Sequence, residues 1–432
     1  MKGFRTGTRV SAVASFLLVG ACMAGENTAS KAEVGINPAD GSSAGGGSDS
    51  GNINTRFQVT PLTADQPGVA PNTDPQLKDV WGVTALEEQF WAVAQQTGQV
   101  IGLAPGGEPT VHIPLVEEGR KATEADRTLT GIALNDSEDL LMDIGGDCRA
   151  AAMLVAAQSG KIWAVNPDIS ETSAFVLVDR SNVGAQYTGV AIIHPTAATP
   201  FDGNGGGGTP PPAPVLTRVL AVDFHNGRVD QFDVVDGALQ RVVSTASQFA
   251  IPNLKTNFSP FGIFATGDRV ILTAAQRRAP DDGDPQIDQQ MPGDGLGIVA
   301  AFDLTGKLLW RTESPMFNIP WGMAMGDLRL CATSALLVGQ HGDPTRLDGK
   351  NNQFGGAVIA MDIRTGKIVT PLLATDTQPV RVQGLWGLTF ATGITNIDEQ
   401  RLHLGAGPVT PGDGGLNETE HGLFARLDMR TP

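Results

Sequence analysis

Trp81-Gly82-Val83, Thr130-Gly131-Ile132, Thr188-Gly189-Val190, Phe261-Gly262-Ile263, Trp321-Gly322-Met323 and Trp386-Gly387-Leu388 are six copies of one signature. Each is an aromatic or threonine, then glycine, then the start of a β-rich run, and the glycines are 49, 58, 73, 60 and 65 residues apart. Every copy is followed by a second strand ending in a turn, such as Val219-Leu220-Ala221-Val222-Asp223-Phe224-His225-Asn226-Gly227. A third strand then runs into Asp303-Leu304-Thr305-Gly306-Lys307 or Asp362-Ile363-Arg364-Thr365-Gly366-Lys367, a hairpin pattern. Units of about 50 to 70 residues, each with about four short strands between Gly and Asp turns, are propeller blades. The sequence therefore predicts an all-β, six-bladed β-propeller of four-stranded antiparallel blades over residues 55–430. A two-sheet sandwich competes, but it requires no signature repeated through the whole body.

The last unit reaches Asp428 with only three strands, and Arg56-Phe57-Gln58-Val59-Thr60-Pro61-Leu62 precedes the first signature. That run is expected to supply the missing outer strand and close the ring, which removes unpaired sheet edges. Blade lengths differ through loops: Pro200 to Pro214 is rich in Gly and Pro, and Ala279 to Gly295 carries five aspartates. The second is read as a solvated acidic loop.

The 54 glycines and 28 prolines among 432 residues agree with many turns and few helices. A net charge of -16 argues against nucleic acid, since phosphate binding needs clustered Lys and Arg. At the amino end, Lys2, Arg5 and Arg9 precede an apolar stretch from Val10 to Ala21 that is too short to span a bilayer. It ends Leu18-Val19-Gly20-Ala21-Cys22, which resembles a bacterial lipobox, so residues 1–22 are expected to be a signal peptide and Cys22 the lipidated residue. An ordinary signal peptide cut nearby is the alternative. Residues 23–54 are dominated by Gly, Ser, Asn and Ala and read as a disordered tether reaching about 30 Å. The chain is thus expected to be exported, monomeric and anchored to the cell envelope through lipid. Met23 after the cysteine points to the outer membrane if the host is Gram-negative.

Several ungapped strings in this order resemble an uncharacterised, conserved hypothetical family of bacterial secreted proteins related to NHL-like propellers. They are Asp65-Gln66-Pro67-Gly68-Val69-Ala70 with Trp81-Gly82, Asp223-Phe224-His225-Asn226-Gly227-Arg228-Val229-Asp230, Pro320-Trp321-Gly322, Gly384-Leu385-Trp386-Gly387-Leu388 and Glu420-His421-Gly422-Leu423-Phe424. The chain departs from that pattern at Asp79-Val80, where the family has Asn-Pro. The resemblance implies the fold and carries no activity or catalytic residues.

Antiparallel strands reverse direction, so the starts of the first strands and the ends of the second strands gather on one face. That face is predicted to form a binding mouth of Trp81, Asp223, His225, Asn226, Gln276, Trp321, Gln340, His341, Trp386, Glu420 and His421. Amides and imidazoles over an aromatic floor suit a small polar ligand or an envelope protein. The opposing expectation is that the tryptophans wedge between blades and the polar groups serve turn backbone. Asp223, Glu420, His225 and His421 are possible ligands for calcium or another divalent cation. His112, His194 and His403 read as ordinary strand or loop residues.

No His-Glu-x-x-His, Walker loop or Cys-x-x-Cys-His occurs in the sequence, and there is no Gly-x-Ser-x-Gly elbow, since Gly41-Ser42-Ser43-Ala44-Gly45 matches the letters only within the Gly- and Ser-rich tether. Cys148 and Cys331 fall in blades across the ring from each other and are expected to be free thiols. The leading expectation is a binding or scaffold module on the envelope, with no catalytic motif to argue for an enzyme. A metal-dependent hydrolase of the lactonase kind is the alternative, and a quinone-cofactor dehydrogenase a more distant one.

Overall fold

A computed structural model describes residues 55–116, 127–144, 147–195, 216–241, 248–278, 288–326, 328, 335–342, 353–407 and 421–430. The signal peptide with Cys22, the tether, Glu420 and Cys331 lie outside them. The described chain is a six-bladed β-propeller, and its only described helical piece is the 3-10 turn Ser181–Val183.

All six signatures lie on the first, innermost strand of a blade: Val80–Leu86, Leu129–Leu134, Tyr187–Ile193, Phe258–Ala265, Pro320–Gly326 and Leu385–Phe390. Blade one continues outward through Gln89–Ala94, Gln99–Leu103 and Pro109–Pro114, all antiparallel. Blades three, four and five follow the same order, and blade two interposes the hairpin Leu141–Ile144 with Asp147–Ala150 between its first and second strands.

Blade six takes its outer strand from the amino end. Arg56–Ala64 pairs antiparallel with Leu423–Arg430, Arg56 opposite Arg430 and Ala64 opposite Leu423, with an irregularity between Pro61 and Thr63. Thr60 Oγ1 donates to Asp428 Oδ2 at 2.6 Å, and Arg426 Nε donates to the same oxygen at 3.0 Å. Burial raises the Asp428 carboxyl, but these two donors and the Arg426 charge outweigh it and hold the group below its usual range. Phe57 and Leu62 drop into the cores on either side of blade six.

The apolar residues divide into one cluster at each blade interface and a seventh on the axis. Trp91 and Trp163 pack between blades one and two, and Trp310 between blades four and five. Those three tryptophans do wedge between blades. The signature tryptophans do not: Trp81, Trp321 and Trp386 form the axial cluster with Phe224 and Phe261.

Candidate functional site

The signature glycines form the waist of the central channel. A Cβ on Gly82 would lie 2.9 Å from the Thr130 carbonyl, and one on Gly131 2.9 Å from Gly189 Cα. On Gly189 it would press Ile263, on Gly262 it would come within 2.6 Å of the Trp321 carbonyl, and on Gly322 it would strike the Trp386 carbonyl. On Gly387 it would lie 2.5 Å from the Trp81 carbonyl, which completes the circle. Each inner strand rests on the next with no room for a side chain between them, and only glycine permits that approach.

The residue before each glycine closes one end of the channel. Trp81 and Trp386 stack at 3.7 Å, and Trp321 meets both edge-on at 5.6 Å. Trp321 Nε1 donates across the axis to the Thr188 carbonyl at 2.8 Å. Thr188 Oγ1 donates to the Phe261 carbonyl at 2.6 Å and Thr130 Oγ1 to the Tyr187 carbonyl at 2.9 Å, so the threonine copies clasp the next blade. Trp81 Nε1 and Trp386 Nε1 donate to the two oxygens of buried Asp79, at 3.2 and 3.3 Å. The aromatic floor expected at this mouth is a plug: all three tryptophans are under 10% exposed.

Apart from Glu420, which lies outside the described residues, the polar residues expected around this mouth sit at the corresponding strand ends and turns of their blades, most of them in local networks. Asp223 is fully buried and accepts from the amides of Gln186 and Asn226, from Asn226 Nδ2 at 2.7 Å, and pairs with Arg228. His225 Nδ1 lies 3.1 Å from Asp288 Oδ2, which also accepts from Arg277 Nη1 at 2.9 Å. Asp288 comes from the expected acidic loop yet is buried, because the Gln186 side chain bonds both its backbone amide and its carbonyl. Gln276 is half-buried at its strand end. Buried Gln340 accepts from the Asn318 amide and donates to the Val338 carbonyl. His341 stacks on Trp386 at 3.4 Å. His421 belongs to the ring closure, with Nδ1 2.7 Å from Asp65 Oδ2 and Nε2 2.6 Å from Gln66 Nε2. Among the described residues no three His, Cys, Asp or Glu side chains are grouped as metal ligands. Asp223, His225 and His421 therefore make no metal centre by themselves.

A large cavity opens at the opposite mouth. A void of about 60 Å³ sits at the glycine waist, and beyond it lies a funnel of about 510 Å³. Its wall comprises the first, second and third residues after each signature glycine, most of which also pack in the cores between blades, together with Asp136, Ile193, His194, Thr266, Gly267 and Thr392. The innermost ring is Val83, Ile132, Val190, Ile263, Met323 and Leu388. In the next two rings only Thr84 and Thr389 are polar, and Leu134 and Met325 are 36% and 42% exposed at the rim. These positions read in the sequence only as a β-rich run, although their fixed offset from the glycine carries the signal.

His194 and Asp136 are the ionisable residues of the funnel wall. His194 Nε2 lies 2.7 Å from Asp136 Oδ1, its Nδ1 3.3 Å from Thr217 Oγ1, and that hydroxyl donates to Asp139 Oδ2 at 2.8 Å. His194 is a loop residue, as expected, and also lines the rim. The turns joining first and second strands on this face carry Glu87 and Glu88 in blade one, and Asp136, Glu138 and Asp139 in blade two. Asp268 in blade four and Asp398 with Glu399 in blade six add to them. Among the described residues, Arg149 in the blade-two hairpin, Arg218, paired with Asp233, Arg269, paired with Asp268, and Arg401 stand against these.

No protein-family model matches the chain. Two uncharacterized proteins of Acanthamoeba polyphaga mimivirus are each 23% identical, one over 82% of this chain and 84% of its own length, the other over 80% and 76%. Solved structures of similar shape include the soluble aldose sugar dehydrogenase of Escherichia coli, at 12% identity and TM-score 0.41 over 87% of this chain and all of the other. Regucalcin, a calcium-binding protein of Agrobacterium tumefaciens, has 13% identity and TM-score 0.41 over 82% of this chain and 90% of the other. Both of these sequence relatives are viral, and they do not show the bacterial origin expected from the sequence.

Proposed function

We propose that this chain is an exported, lipid-anchored envelope protein whose propeller is a ligand-binding module, with the funnel as the ligand site. One observation carries the reading: the channel is stoppered by tryptophan at one end and open at the other as a cavity of about 510 Å³. That volume is of the size that buries a drug-sized molecule. Its accessible lining is about equally polar and apolar, and it lies at the mouth opposite the one where the sequence suggested a ligand. Apolar surface left open at Leu134 and Met325 gains free energy when a ligand removes it from water.

Titration with N-phenyl-1-naphthylamine, whose fluorescence rises in apolar surroundings, tests the site. Saturation at one equivalent is expected, weakened about tenfold or more by Leu134→Trp or Met325→Trp, which fill the rim without entering a core. Unchanged binding in both variants would move the ligand elsewhere. The anchor is tested separately: a Cys22→Ser chain is expected in the soluble fraction and without label from radioactive palmitate. Label on that variant would refute anchoring at Cys22.

A further inference from the structure

We infer that Arg180, Arg228 and Arg241 form a binding site for a tetrahedral oxyanion of the phosphate or sulfate class, at the seam between blades two and three. It is separate from the funnel and does not depend on what the funnel holds. Its centre is the string Asp223 to Asp230. Asp223 ends the second strand of blade three, and Arg228 and Asp230 open the third, Arg228–Val235. Arg241 ends the fourth strand, Ala238–Arg241, and Arg180 follows the outer strand of blade two, Phe175–Asp179. Antiparallel order brings these strand ends to the side of the ring that the tryptophans close.

Three guanidiniums there meet two buried carboxylates. Asp230 Oδ1 accepts from Arg228 Nε at 2.9 Å and from Arg241 Nη2 at 3.1 Å, and its Oδ2 accepts from the Tyr187 hydroxyl at 2.9 Å. Asp223 Oδ2 lies 3.2 Å from Arg228 Nη2. Burial raises the Asp230 carboxyl, but the Tyr187 hydroxyl, Arg228 and Arg241 outweigh it and hold the group below its usual range. With both carboxylates charged, three cations against two anions leave one positive charge over. Lys161 and Asp179 on the adjoining strands of blade two offset each other. Arg180 is the member whose charge is not matched. Its Nε is buried without a hydrogen bond, and the carboxylate oxygen beside it, Asp230 Oδ2, stands 3.9 Å away and already accepts from Tyr187. A buried donor without an acceptor is costly and marks an unfilled place for one.

The Arg180, Arg228 and Arg241 side chains keep 23%, 40% and 32% exposure, so an anion reaches them from solvent. Guanidinium forks arriving from a connecting loop, a third strand and a fourth strand suit an anion that accepts from several directions, which a tetrahedral oxyanion does and a planar carboxylate does not. The chain's net charge of -16 repels anions at long range, so affinity comes from these short contacts.

Titration calorimetry of the full chain with sodium phosphate, sodium sulfate and sodium chloride at matched ionic strength tests the site. Phosphate and sulfate are expected to saturate at one equivalent and to raise the melting temperature, and chloride to do neither. Arg180→Met is expected to weaken phosphate about tenfold, the worth of one charge-assisted hydrogen bond, while Asp230 keeps its bonds to Tyr187, Arg228 and Arg241. Arg180→Lys, which keeps the charge and loses the fork, should fall between. Should Arg180→Met fail to fold, Arg241→Gln at an exposed strand end carries the same expectation. If the arginines only cover the carboxylates, these variants melt earlier but bind phosphate as the native chain does, and that result overturns the site. Absence of saturable phosphate and sulfate binding by the native chain overturns it as well.

Discussion

Asp79 has a backbone φ of 49°, a left-handed conformation that aspartate tolerates better than most residues. That twist turns its carboxylate toward the axis, where it meets the indole N–H groups of Trp81 and Trp386. Asp79→Ala leaves two buried donors without this acceptor, and is expected to cost about 1–3 kcal/mol and to shift tryptophan emission. Asp79→Asn, which keeps an acceptor and tolerates the same backbone, should cost less. Equal denaturation midpoints for Asp79→Ala and the native chain would remove Asp79 from this role. His403 offers a pH test. Burial between Phe90 and Phe424 lowers its imidazole from 6.5 to about 4, with the nearby Arg426 and Arg401 adding to the effect and a bond to the Arg401 carbonyl opposing it. The unfolded chain therefore takes up this proton first as pH falls. The resulting stability is complete above about pH 6.5 and is lost toward pH 4, on the order of 3 kcal/mol over the window. Urea midpoints at pH 7 and pH 4.5 should differ less in His403→Leu than in the native chain.

At the scale of elements, the strand Arg56–Ala64 is the only piece that crosses from one end of the sequence to the other to complete a sheet among the described residues. A chain lacking residues 1–64 leaves Leu423–Arg430 as an open edge and removes Phe57 and Leu62 from the cores on either side of blade six. It is expected to lose its cooperative melt and to sediment as aggregates, since unpaired edges template association. A monomer with the native melting midpoint would show that the clasp is dispensable. This strand was legible because the last blade ran out of chain. The hairpin Leu141–Ile144 with Asp147–Ala150 was not, because blade two already had four strands without it. Asp288 was misjudged for a similar reason: five aspartates in a loop read as solvated, and only the fold brings Gln186 against one of them.

At the scale of the molecule, six blades were legible because the waist glycines answer a requirement of closure that recurs once per blade, so geometry wrote a period into the sequence. The direction of the channel was not. A tryptophan before a glycine serves equally as the floor of a pocket or as its stopper, and the choice depends on whether three such rings meet across the axis. The funnel escaped notice because valine, isoleucine and methionine on an inner strand look like any core. His194 was passed over because its partner Asp136 lies 58 residues away in the neighbouring blade.

The ring closure also has a consequence in time. Gln58 bonds Arg430 across 372 residues, so a chain made from its amino end carries an unmatched first strand until Arg430 has emerged. At ribosomal speeds this wait is on the order of tens of seconds. During it, the strand fits the vacant place in another copy's sixth blade with the same register as in its own. Crowded synthesis therefore sets an intramolecular clasp in competition with an exchanged one, and linked dimers formed at birth would persist for as long as the rings stay shut.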